Sequence, residues 1–206
     1  MMATAAQSAP ALLVAAEAGR TAEVERLIAN GADLETRDAQ GRTALLLAVA
    51  GNHVAMAKAL LAAGASPNAQ ASNRDTPWLL AGASGRAEIV AAMLPLNPDL
   101  TLRNRYGGNA LIPACERAHV ETVKLLLTSG IDVNHVNDLG WTCLLEIVIL
   151  GDGGSRHQEV AKLALAAGAD PNLADRDGLT PLAHARARGQ GVIAELIEQA
   201  GGRVKR

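Results

Sequence analysis

The stretch Gly140–Val160, GWTCLLEIVILGDGGSRHQEV, admits two readings that lead to different proteins. Taken alone, Gly151–Ser155 (GDGGS) before a helix start offers backbone N–H groups in the way a phosphate-cradling loop does. The same glycines also suit a flexible turn. The residues on either side decide between them. Trp141-Thr142 before an apolar run, and Arg156-His157-Gln158-Glu159-Val160 after the glycines, both recur elsewhere in the chain.

Set in register on Thr142, five segments align: GRTALLLAVAGN, RDTPWLLAGASG, GGNALIPACERA, GWTCLLEIVILG and GLTPLAHARARG. Their threonine column is Thr43, Thr76, Asn109, Thr142 and Thr180, spaced 33, 33, 33 and 38 residues. A second column, Gly31, Gly64, Asn97, Gly130, Gly168 and Gly201, repeats the period and places the same five-residue excess between Gly130 and Gly168. The excess falls at GDGGS, and His157 then resumes the column of His53, Arg86 and His119. No strand precedes the glycines and no Gly-Lys-Ser/Thr follows, so a P-loop is excluded. The glycines read as an insertion at a helix–helix turn, where added length costs little.

Each period has one grammar. A polar turn ending in glycine (Asp38-Ala39-Gln40-Gly41) precedes a threonine suited to cap a helix. Pro77 and Pro181 follow at the first helical position, where a missing N–H costs least. A short helix leads to a residue that tolerates left-handed backbone (Asn52, Gly85, Gly189), and a longer helix follows. In HVETVKLLLTSG, Val120, Val123, Leu126 and Leu127 recur at helical spacing, and Gly130 ends the run.

This grammar resembles the ankyrin repeat over roughly residues 10–203, carried by TPW and TPL, by the GADL, GASPN, IDVN and GADPN turns, and by HVETVKLLL. NRYGGNALIPA and LGWTCLLEIVILGDGG further resemble a bacterial subgroup of such proteins. The resemblance implies an all-α solenoid of six helix–turn–helix repeats with β-hairpin-like turns. One domain, 1–206, is expected, with repeats near 8–37, 38–70, 71–103, 104–136, 137–174 and 175–206. It also implies a protein-binding module working through a concave face lined by turn tips and first helices.

Composition agrees and removes other classes. The chain has no Phe, one Tyr and two Trp, so its core must be built from Leu, Ile, Val and Ala, which suits thin stacked layers. A net charge of −2 gives no reason to expect nucleic-acid binding. No run is long enough to span a membrane, and MMATAAQSAPALLVAAEAGR lacks the basic start of a secretory leader. Two cysteines, Cys115 and Cys143, make no disulfide framework and are compatible with a reducing compartment. A cytoplasmic monomer is expected, with weak self-association through the apolar opening PALLVAA as an alternative.

Chemistry-bearing motifs are sparse: HExxH, paired CxxC and a nucleophile elbow are all missing. Cys115 and His119 have the spacing of a metal pair, but Cys115 stands in the core column of Val49 and Val148. The histidine column, which varies with Arg and Gln, reads as surface or capping, and neither metal nor cofactor is expected. Glu146 replaces Leu47, Leu80 and Pro113, so a carboxyl stands where relatives are apolar. The partner-binding candidates are Arg42, Asp75, Arg103, Arg105, Tyr106, Glu116, Asp138, Trp141 and Glu146, centred on repeats three to five. Tyr, Trp and Arg are the types enriched at binding hot spots. Trp78, in the column of Leu45, Leu111 and Leu144, belongs to the core. The competing reading is a small-ligand or catalytic site built from Asn109, Glu116, Glu146 and the Asp152 loop.

Overall fold

A computed structural model describes residues 10–204. Residues 1–9, on which the leader reading and the start of repeat one rest, and Lys205–Arg206 lie outside the described residues. Among the described residues, twelve α-helices alternate in two rows. The first helices are α1 (Ala11–Glu17), α3 (Ala44–Ala50), α5 (Pro77–Ala83), α7 (Leu111–Glu116), α9 (Cys143–Ile149) and α11 (Pro181–Ala187). The second helices are α2 (Thr21–Ala29), α4 (Val54–Ala62), α6 (Ala87–Met93), α8 (Val120–Leu127), α10 (Ser155–Ala166) and α12 (Gly191–Gln199). Each helix packs on its partner within the repeat and on its counterparts in neighbouring repeats, as a solenoid requires.

The threonine column does what its position predicts. The Oγ1 atoms of Thr43, Thr76, Thr142 and Thr180 accept from the N–H groups of Leu46, Leu79, Leu145 and Ala183. Each cap stabilises its helix by about 1 kcal/mol. Asn109 substitutes with its side-chain oxygen, accepting from Leu111 and Ile112. Asn52, Gly85, Ala118 and Gly189 take positive φ between the two helices. Between the layers, Trp78, Leu111, Leu126 and Leu144 are fully buried beside many alanines.

The hairpin-like turns contain no strand among the described residues. Each is closed by one i to i+4 backbone bond, for example from the Asn137 N–H to the Trp141 carbonyl. The turns also join one another: the Ser72 N–H donates to the Gln40 carbonyl and the Asp138 N–H to the Tyr106 carbonyl, both at 2.9 Å.

Three readings change. Cys115 is buried as expected, but it is bonded to Cys143 in the adjacent repeat, where the helices bring their Cα atoms to 5.5 Å. Cysteine usage therefore carries no inference about a reducing compartment. The histidine column is not a surface column, because its rings fill the space beside glycines of the neighbouring repeat, His53 under Gly19 and His119 under Gly85. His157 is buried, with Nε2 2.9 Å from the Glu116 carbonyl and Nδ1 2.7 Å from Asp152 Oδ1. Nor is the glycine insertion only a loop. Its last residue, Ser155, begins α10, which reaches 12 residues, and Asp152 Oδ1 also accepts from the Gly154 N–H at 2.8 Å.

Candidate functional site

Four of the hairpins are each positioned by one side chain, repeat three having Ala71 at that place. Asn104 Oδ1 accepts from the N–H groups of Tyr106 and Gly108, and Asn137 Oδ1 from those of Leu139 and Trp141, at 2.9–3.0 Å. Asp38 and Asp175 do the same in repeats two and six. Fixing a tip through two of its own N–H groups leaves the tip side chains preorganised and facing outward.

Between the tips of repeats four and five and the helices α7 and α9 lies a groove of about 300 Å³. Tyr106, Leu139 and Leu150 stand on it, each about half exposed, although residues of this size are normally withdrawn from water. Ile112 and Pro113 line it from α7, and Glu116, Arg117 and Glu146 contribute its charged groups. The Arg105 guanidinium lies 4.7 Å from the centroid of the Tyr106 ring, a cation–π contact.

Glu146 is the unusual member. It is 4% exposed, its Oε1 accepts from Asn137 Nδ2 at 2.9 Å, and its Oε2 has no hydrogen-bond partner. Burial, with the nearby Glu116 charge added, pushes its carboxyl up to about 7, against the opposing effect of the Asn137 bond. One repeat on, Asp175 and His184 stand at the positions of Asn137 and Glu146, joined at 2.7 Å. Burial alone would raise Asp175, but bonds from His184 and from the Leu179 N–H hold it below the usual carboxylate range. The same two positions thus hold a carboxyl raised by burial in repeat five and one lowered by its hydrogen bonds in repeat six.

The structure brings four of the sequence candidates, Arg105, Tyr106, Glu116 and Glu146, to this groove. The others are placed differently. Trp141 is half-buried against the core, in the column of Gly108, whereas Tyr106 shares its column with Leu139. Arg103 turns back on its own segment, donating to the Leu100 and Leu102 carbonyls at 2.6 and 2.9 Å. Arg42 is held by Asp38 and Glu17, and Asp75 accepts from Asn73. Asp138 is exposed on its tip. Of the competing set, Asn109 is a buried cap, and Asp152 serves His157 instead of joining Glu116 and Glu146. Asn137 is missing from the sequence reading, whereas Leu139 and Leu150 stand at variable positions of the concave face without being among the binding candidates. The shared nine-residue spacing of Asn137–Glu146 and Asp175–His184 was the signal that marked the first. Among the described residues no cluster of three or more metal-ligating side chains occurs, and no helix is long and apolar enough to cross a membrane.

Comparison with known proteins agrees with the period. Family models described as ankyrin repeats (many copies) and ankyrin repeats (3 copies) match residues 12–61, and 56–137 with 77–175. The ankyrin repeat protein YahD of Escherichia coli (strain K12) is 42% identical over 190 residues, 92% of this chain and 94% of that one. The cyclin-dependent kinase 4 inhibitor B of Bos taurus is 39% identical over 101 residues, 48% of this chain and 72% of that one. Among solved structures, an ankyrin repeat domain from Acinetobacter baumannii AYE superposes with a TM-score of 0.89 at 47% identity, covering 93% of this chain and 98% of the other. Period, caps, stacked helix pairs and these likenesses agree, and the chain belongs to the ankyrin-repeat family.

Proposed function

We propose that the protein is a non-enzymatic binding module that engages another protein through the concave face of repeats three to five. Ankyrin repeats are in general protein-interaction modules, and a similar chain is named as the inhibitor of a kinase. The observation that carries the reading here is the half-exposed trio Tyr106, Leu139 and Leu150 around one groove on preorganised tips. Exposed apolar groups clustered at a charged groove match the composition of an interface centre. Catalysis finds less support: Glu116 and Glu146 share an open groove with no nucleophile beside them, and the Asp152 loop works elsewhere. We place the module in the cytoplasm as a monomer, with no nucleic-acid or membrane partner.

The test removes the apolar contacts without touching the core. Tyr106→Ala with Leu139→Ala is expected to weaken partner capture by about thirtyfold or more while the melting temperature holds. Trp78→Ala is the control that should melt early, by roughly 3–5 kcal/mol. Unchanged capture by the double variant would refute the concave-face reading.

A further inference from the structure

We propose that the groove between repeats four and five is a pocket for a primary alkylammonium group, the end of a lysine side chain presented by the partner, received by Glu146 and Glu116. The proposal rests on the concave-face reading and names what that face selects.

Geometry points to a cation. Glu146 is more than nine-tenths buried, lines the groove and keeps one oxygen, Oε2, without a partner. A buried acceptor left open in this way costs free energy unless a donor arrives. Neither Glu146 nor Glu116 forms an ion pair among the described residues. The nearby cations are engaged: Arg117 Nη1 donates to the Ala83 carbonyl at 2.7 Å, and Arg105 lies over Tyr106. On α11, His184 is held by Asp175, and from α10 His157 is held by Asp152 and the Glu116 carbonyl. No side chain among the described residues donates to Glu146 Oε2.

The shape selects an ammonium over a guanidinium. Oε1 is already occupied by Asn137, so Glu146 offers a single oxygen, whereas a guanidinium binds best to both oxygens of one carboxylate. A compact ammonium needs only one such oxygen, and Glu116, whose charge acts on Glu146, adds a second carboxylate to the same groove. Tyr106, Leu139 and Leu150 supply the apolar walls that a four-carbon stem packs against. The carboxyl, raised to about 7, releases its proton to solvent when the ammonium binds and pairs with the ionised form, so binding tightens as pH rises.

The experiment titrates the full chain with Nα-acetyl-lysine N-methylamide, following amide resonances by NMR, with the Asn137 side-chain amide as the local reporter. Saturable shifts at Asn137 and Tyr106 are expected, with the uncharged norleucine analogue and the arginine analogue each about tenfold weaker or more. Raising the pH from 5.5 to 8 should tighten binding on the order of tenfold to thirtyfold. Glu146→Gln keeps the acceptor for Asn137 and the shape of the groove, so it should fold normally and lose both the binding and the pH dependence. Equal binding of the norleucine analogue, or undiminished binding by Glu146→Gln, would overturn the proposal. Pentane-1,5-diamine binding where the lysine amide does not would overturn the lysine source in favour of a free amine. Partner contact is read separately, by a photo-cross-linker at Leu139. Cross-linking without lysine binding overturns the ammonium pocket and leaves the concave-face reading standing. Lysine binding without cross-linking overturns the concave-face reading, and with it the partner as the source.

Discussion

Replacing Glu146 by glutamine should make the protein more stable at neutral and alkaline pH, which is uncommon for a buried hydrogen-bonded group. The wild-type carboxyl titrates near its ordinary 4.5 when unfolded and at about 7 when folded. Between those values the unfolded state holds fewer protons than the folded state, so stability falls as pH rises and levels off above about 7. At 1.36 kcal/mol per unit the shift corresponds to roughly 3.4 kcal/mol, and the groove's opening to water reduces that to about 2–3 kcal/mol. Glutamine keeps the acceptor for Asn137 and never ionises, so its stability lacks this slope. Carboxylates elsewhere are common to both proteins and cancel in the difference. Urea unfolding of both proteins at pH 5 and pH 8 reads the effect directly. Because pH 5 already lies above the unfolded value, the advantage of the variant should grow by about 1–2 kcal/mol between the two, or roughly 2–8 °C in melting temperature. Parallel pH profiles would refute the assignment of a buried, proton-holding carboxyl. Confirmation would mean that the protein keeps a destabilising group in its groove, a common arrangement where stability is given up for binding.

Three further outcomes follow from the packing. Ala118, at φ 50° where other repeats have glycine or Asn52, should be improved by Ala118→Gly by about 1 kcal/mol, seen as a higher urea midpoint. Leu126→Ala empties a fully buried site in repeat four and should cost roughly 2–5 kcal/mol; hydrogen exchange should accelerate most in repeats three to five, and uniform acceleration from end to end would contradict nearest-neighbour stacking. Asp152→Ala removes the acceptor shared by the Gly154 N–H and His157 and should cost about 1 kcal/mol, with faster exchange confined to the start of α10.

The fold was legible because two independent columns, the threonines and the terminal glycines, keep one period, and because each column residue has a local task that sequence reveals. Thr142 caps α9, Gly130 ends the run after α8, and Trp78 sits where Leu45 and Leu144 sit. What stayed hidden depends on contacts between layers. Cys115 and Cys143 occupy different columns, and only the stacking of α7 on α9 brings them together. His157 looked like a surface residue because Arg and Gln replace it, yet Gln190 in the same column also reaches back one repeat, donating to the Val148 and Gly151 carbonyls. Glu146 was legible as an intruder in an apolar column. Its pairing with Asn137 and its open oxygen were not, since both depend on the way the hairpin folds over the helix. Trp141 was overread from its type: a ring in the Gly108 column leans toward the core, whereas the Tyr106 column faces solvent.

The most direct test of the central claim is site-specific cross-linking in the native host. A photoreactive side chain at Leu139, on the groove, is compared with one at Lys58, which lies on α4 in the row of second helices, in an exposed ion pair with Glu88 of α6. The account predicts one discrete protein adduct from Leu139, diminished by Tyr106→Ala, and none from Lys58. An adduct from Lys58 with none from Leu139 would contradict it and place the working surface on the second-helix side.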